Sequence, residues 1–102
     1  MAIWSKLREE LDRAGKAAQK AVDEGRIRLD LHRARARADR AAAALGWALY
    51  RARKVGGDLE PEQFSRLSAD IAAAEAEAAR YQAELDAAAQ KPSPMTAPDG
   101  PV

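Results

Sequence analysis

The chain contains no cysteine and only one histidine, His32. Disulfides, cysteine nucleophiles and thiolate metal sites are therefore excluded, and a transition-metal site is not expected from a single histidine. The serines lack the partner residues of a catalytic triad, and no glycine-rich phosphate loop follows a strand-like segment. We therefore expect a protein that is not an enzyme and that binds neither a cofactor nor a metal ion.

Long apolar runs are also missing. No stretch approaches the roughly 20 apolar residues of a membrane-spanning helix. The first residues, MAIWSKLREELDR, are charged from Lys6 onward, which is unlike a signal peptide. We therefore expect a cytoplasmic protein, with the inner membrane surface as the alternative location.

Aromatic residues make up only 5% of the chain and β-branched residues are scarce, so a β-sheet is not expected. Charged residues account for 32%, and the apolar 47% consists mostly of alanine. Alanine contributes little buried area per residue and is the best helix former. This composition favours long helices packed closely in a thin bundle.

The spacing of apolar residues divides the chain at Gly25. Steps of three and four residues, typical of one helix face, occur on both sides of this glycine but in different phases. We predict an N-terminal amphipathic helix over residues 2–24 and a second helical segment over residues 26–55. Gly25 itself is interpreted as a kink or hinge, although a continuous helix through it remains open. The apolar positions are Trp4, Leu7, Leu11, Ala14, Ala18 and Ala21 in the first segment, and Leu31, Ala34, Ala38, Ala41, Leu45, Ala48, Ala52 and Val55 in the second.

A third helical segment is predicted to return antiparallel to the second. Gly56 and Gly57 are placed to end one helix, Pro61 suits the first position of the next, and Glu60 would be a weak cap. The apolar seam continues at Phe64, Leu67, Ile71, Ala74, Ala78, Tyr81, Leu85 and Ala88. The predicted fold is therefore all-α: an antiparallel two-helix coiled-coil hairpin over residues 26–90, with its turn at 56–60, preceded by the amphipathic helix. Residues 91–102 hold four prolines and are predicted to be a disordered tail.

The net charge of +1 hides two oppositely charged arms. Residues 26–55 carry nine basic and two acidic side chains, whereas residues 58–90 carry eight acidic and two basic ones. We expect these charges to flank the seam and to favour pairing of unlike arms. Outward-facing arginines of the basic arm are a weaker candidate for phosphate contacts: Arg26, Arg33, Arg37 and Arg40.

Two apolar surfaces are not needed for the hairpin seam. Trp47, Tyr50 and Leu49 form a candidate patch for self-association or for a partner protein. The N-terminal helix carries a candidate face for a partner or a membrane surface at Ile3, Trp4, Leu7 and Leu11. Residues 2–24 hold five basic and five acidic side chains, so attraction to anionic lipid should be weak.

The motifs MAIWSKL, AGKAA and ALGWALY resemble those of short bacterial helical-hairpin proteins of unknown function. This resemblance covers residues 1–85 and implies the fold, not an activity. Many members of that group carry a C-terminal zinc ribbon, which the absence of cysteine excludes here. The chain is also similar, more distantly, to phage-shock membrane-remodelling proteins, which open with an amphipathic helix before a long hairpin.

From the sequence we expect a non-catalytic interaction or scaffolding module that forms a homo-oligomer or binds a helical protein. A peripheral membrane-surface protein anchored by its N-terminal helix is the alternative. Nucleic-acid binding by the arginine-rich arm is a weaker one, because the neighbouring acidic arm would reduce the positive field.

Overall fold

The structure, a computed structural model, describes residues 2–91 and contains two helices and no strand in that range. Helix α1 runs over Ala2–Lys54 and helix α2 over Pro61–Gln90. They lie side by side in a rod of 82 × 23 × 18 Å. The predicted all-α hairpin is confirmed. The disordered tail predicted for residues 91–102 falls, apart from Lys91, outside the described residues.

Helix α1 continues through Gly25 without a break, so residues 2–24 are its N-terminal part and not a separate element. Of the two alternatives left open at Gly25, the chain adopts the continuous helix. A glycine costs a helix about 1 kcal/mol relative to alanine, which the flanking turns can offset. Glu24 accepts ion pairs from Lys20 at 3.2 Å and from Arg28 at 3.8 Å, one turn before it and one turn after it.

The two helices differ in length, and α1 therefore extends beyond its partner. Its 53 residues span roughly 80 Å at 1.5 Å per residue, whereas the 30 residues of α2 span roughly 45 Å. The C-terminal end of α2 lies beside residues 16–27 of α1, where Ala87, Ala88 and Lys91 line a groove with Lys20 and Ile27. Residues 2–15, which we call the overhang, have no helix beside them in the described part of the chain, and all of them are exposed.

The predicted seam is the one that the helices bury. Leu31, Ala34 and Ala74 form the buried core, and Ala34 is completely inaccessible. The other predicted seam residues of both arms are half-buried, except at the end near the turn. There Val55 is 83% exposed and Phe64 51% exposed. A core this small, with alanines at its centre, brings the helices close together but buries little apolar area.

The connection between the helices is fixed by backbone hydrogen bonds. Gly56 has a φ of +84°, the left-handed conformation that favours glycine. The Gly57 amide donates to the Ala52 carbonyl at 2.9 Å and the Gly56 amide to the Arg53 carbonyl at 3.0 Å. This pair of bonds is the Schellman motif, which satisfies carbonyls at the end of α1.

The start of α2 uses proline and not a side-chain cap. Pro61 takes the first helical position, and the Glu60 side chain makes no capping hydrogen bond. The Asp58 carboxylate instead accepts a hydrogen bond from the Leu59 amide at 2.8 Å and lies 3.6 Å from the Arg53 guanidinium. The turn therefore depends more on Gly56 than on any side chain.

Gly56→Ala should lower the free energy of unfolding by about 1 kcal/mol, because a Cβ is disfavoured at positive φ. Gly57→Ala is the matched control: its φ is not positive, and its Cβ would meet the Ala52 carbonyl oxygen at an ordinary 3.5 Å. Urea unfolding followed by circular dichroism measures both. Equal losses in the two variants would contradict a special role for Gly56.

Candidate functional site

Among residues 2–91, no group of three or more His, Asp or Glu side chains is arranged to hold a metal ion. His32 is exposed on α1. No helix in this part of the chain combines the length and apolar character that crossing a bilayer requires. The surfaces with functional potential are therefore the apolar and charged faces of the two helices.

The N-terminal candidate face lies on the overhang. Ile3 is 78% exposed, Trp4 65%, Leu7 43% and Leu11 65%. Because α2 does not reach these residues, nothing else within residues 2–91 covers them. The structure thus leaves a tryptophan and two leucines on an unpaired helical segment, with Ile3 beside them.

The second candidate patch lies on α1 near the turn. The Trp47 and Tyr50 rings meet edge to face, with centroids 6.0 Å apart, and they are 58% and 56% exposed. The Arg51 guanidinium lies 5.7 Å from the Trp47 ring, a cation–π distance. Leu49 is half-buried, so the outer surface of the patch consists of Trp47, Tyr50 and small neighbours.

Those small neighbours make a shallow depression. It is lined by Ala43, Gly46, Trp47 and Tyr50. The four positions are related as i, i+3, i+4 and i+7, which is the arrangement of a hole that accepts one side chain from a facing helix. All four belong to α1, so no residue of α2 lines the depression.

The candidate phosphate-contacting arginines are exposed, but they are not all free. Arg26, Arg33 and Arg40 are exposed on α1, whereas Arg37 donates to Glu77 on α2 at 2.6 Å. Arg40 shares a groove with Asp70. The acidic arm therefore lies directly against two of the four candidate phosphate-contacting arginines.

The expected pairing of opposite charges is present between the helices at Arg37 and Glu77. Arg35 instead donates to the neutral Gln82 amide oxygen at 2.7 Å. Both Arg37 and Glu77 remain partly exposed, at 43% and 34% of their side chains. A pair this exposed contributes no more than about 1 kcal/mol, so its main effect is on which arms pair.

A continuous α1 also connects the two apolar surfaces. At 100° per residue the overhang face and the Trp47 patch point in the same direction, opposite the seam with α2. We call this face the outer stripe. Its positions follow one another in steps of three and four residues: Trp4, Leu7, Leu11, Ala14, Ala18, Val22, Gly25, Leu29, His32, Ala36, Arg40, Ala43, Trp47 and Tyr50.

The outer stripe concentrates the exposed apolar side chains. Seven of the ten large apolar side chains exposed in the described part of the chain belong to it. The predicted boundary at Gly25 places the first segment and the Trp47 patch on separate surfaces, whereas the continuous helix joins them. Val22, 50% exposed, widens the predicted face of the first segment but is not among the candidate site residues, and Leu29, 47% exposed, is not predicted to be on either surface. If the helical phase of the first segment is continued past Gly25, it places Leu29, Trp47 and Tyr50 on the same face as Trp4 and Leu7.

No family model matches the chain. No curated protein matches it, and no solved structure matches it. The resemblance to short bacterial helical-hairpin proteins therefore stays a prediction.

Proposed function

We propose that this protein is a non-catalytic helical interaction or scaffolding module that self-associates or binds a helical partner protein. The observation that supports the proposal most directly is the outer stripe. It leaves large apolar side chains exposed on one face of α1 while the opposite face packs on α2. Exposed apolar side chains grouped on one face are typical of protein–protein or membrane contact sites.

The composition of the stripe favours a protein partner. Trp47, Tyr50 and Trp4 are residue types that dominate the binding energy of protein interfaces. The Trp47 and Tyr50 rings meet edge to face at 6.0 Å, so they present one joint aromatic surface to a partner. The depression beside them has the form that a helical side chain fills.

Static light scattering across a concentration series tests self-association. We expect a mass above that of the monomer, and we expect Trp47→Ser to weaken association about tenfold or more, because a buried aromatic anchor is commonly worth roughly 2 kcal/mol. Circular dichroism should show the helices intact, since Trp47 is 58% exposed in the hairpin.

Val55→Ser is the matched control for this experiment. Val55 is the most exposed large apolar residue in the described part of the chain, at 83%, and it lies off the outer stripe. The Val55→Ser substitution should therefore leave association unchanged. A chain that stays monomeric up to millimolar concentration would contradict self-association, and equal weakening by both substitutions would contradict a role for the stripe.

The overhang supports a second candidate function, attachment to a membrane surface such as the inner face of the bacterial membrane. Ile3, Trp4, Leu7 and Leu11 are exposed on a helical segment that no other described residue covers. An amphipathic helix with a tryptophan near its end can lie in the lipid interface. Residues 2–24 carry equal numbers of basic and acidic side chains. Binding would therefore depend on insertion of the apolar side chains more than on attraction to anionic headgroups.

Flotation with phosphatidylcholine vesicles, with and without phosphatidylglycerol, tests the membrane candidate. We expect flotation that changes little with anionic lipid and that is lost when Trp4→Ser and Leu7→Ser are combined, because those side chains would supply the inserted area. Val55→Ser again serves as the control. Absence of flotation with both vesicle types would end this candidate.

A further inference from the structure

We infer that the outer stripe of α1 is covered by the outer stripe of a second copy, with the two α1 helices antiparallel over their full length. This inference rests on the proposed function, because it names the occupant of the same surface. Its support comes from the spacing of the stripe, from the hole beside Trp47 and from the area available for burial.

The spacing makes the stripe complementary to itself. When two α1 helices run antiparallel about an axis at Ile27, each stripe position meets another stripe position of the second copy. Trp4 then lies opposite Tyr50, Leu7 opposite Trp47, and Leu11 opposite Ala43. Further inward, the pairs are Ala14 with Arg40, Ala18 with Ala36, Val22 with His32, and Gly25 with Leu29.

This arrangement joins the two surfaces that the hairpin leaves uncovered. The overhang of one copy lies on the Trp47 patch of the other, at both ends of the dimer. Leu11 meets the small Ala43 at one level, whereas the other two levels bring Trp4 to Tyr50 and Leu7 to Trp47. Large residues opposite small ones and aromatic rings beside leucine can both be accommodated in close helix packing.

The hole beside Trp47 has a matching side chain. The hole formed by Ala43, Gly46, Trp47 and Tyr50 is centred at the level of Leu7 in the second copy. Leu7 is 43% exposed in the single chain and points along the same stripe. A leucine is the common occupant of such holes in coiled coils.

The glycines on and beside the stripe agree with a close approach by another helix. A Cβ added at Gly25 or Gly46 would meet nothing within 4 Å, and neither residue has a positive φ. Packing within the chain therefore does not require glycine at these positions, although each one costs the helix about 1 kcal/mol. In the antiparallel dimer, Gly25 faces Leu29 of the second copy and Gly46 borders the hole that Leu7 fills.

The area is sufficient for a stable dimer. Seven large apolar side chains of the stripe are 43% to 65% exposed, or roughly 100 Å² each, so two copies would bury on the order of 1,400 Å². Specific interfaces bury about 1,200–2,000 Å². Helix α2 does not interfere, because it packs on the opposite side of α1.

The charges beside the stripe have mixed effects on this pairing. Asp12 of one copy lies within two residues of the level of Arg40 of the other, an attractive combination. At the axis, Arg26 and Arg28 of one copy lie level with Arg28 and Arg26 of the other, and this repulsion is reduced by Glu24, which lies 3.8 Å from Arg28 on the same helix. Arg26 and Arg28 are exposed beside the stripe, where a charge pair is worth little.

Disulfide trapping tests the arrangement, and the natural absence of cysteine makes the test clean. Leu11→Cys and Ala43→Cys are made as separate variants of the full chain, mixed, allowed to exchange and oxidised. Both positions are exposed in the single chain, so neither substitution should unfold the hairpin. Mass spectrometry identifies which positions are linked.

We expect the mixture to form a disulfide between positions 11 and 43, about tenfold more than either variant forms with itself, because only facing positions satisfy disulfide geometry. Positions 11 of the two copies would be roughly 48 Å apart along the helices and should not link.

Three results would overturn the arrangement. A strong disulfide in the Leu11→Cys variant alone would indicate parallel helices. A disulfide between Leu11→Cys and Ala14→Cys in a similar mixture would indicate that only the overhangs pair. A dimer by light scattering with no link between positions 11 and 43 would also contradict it. In each case self-association stands, whereas a monomer by light scattering would remove the proposed self-association itself.

Discussion

The packing of α1 against α2 along one face of each helix is the interaction on which the rest of the structure depends. It is centred on Leu31, Ala34 and Ala74, the three buried residues of the described chain. Alanine at the contact lets the helices approach closely, but each alanine contributes little apolar area. A helix of 53 residues beside one of 30 then has two surfaces that α2 does not cover, its overhang and its outer face. Both follow from the geometry of a hairpin with unequal arms.

Helix α1 has two apolar faces on opposite sides, and only one of them is covered by α2. The seam faces α2, and the outer stripe faces away from it, with charged residues between the two faces. A helix that is apolar on two faces is stable when it lies between two neighbours. The chain itself supplies one neighbour. A second copy, or a helical partner, would supply the other and would place α1 in the interior of an assembly with α2 outside.

Much of the fold was predictable because it depends on local signals. The seams from Leu31 to Ala52 and from Leu67 to Ala88 follow the helical repeat, and Gly56 marks the turn by its left-handed conformation. The continuity of α1 was not predictable, since the cost of Gly25 competes with ion pairs of Glu24 whose strength the spacing alone does not reveal. The candidate residues Trp4, Leu7, Trp47 and Tyr50 were found individually. Their membership of one stripe required a straight helix between them.

Residues 2–15 have no helix beside them in the part of the chain that the structure describes, and we propose that they obtain one by association. Hydrogen–deuterium exchange at a series of concentrations tests it most directly, because isolated helices are only marginally stable in water. We expect amides of residues 6–15, which have acceptors within the helix, to be protected at high concentration and to lose protection on dilution, while residues 31–52 and 67–88 stay protected. Protection of residues 6–15 that is independent of concentration would show that these residues need no second chain.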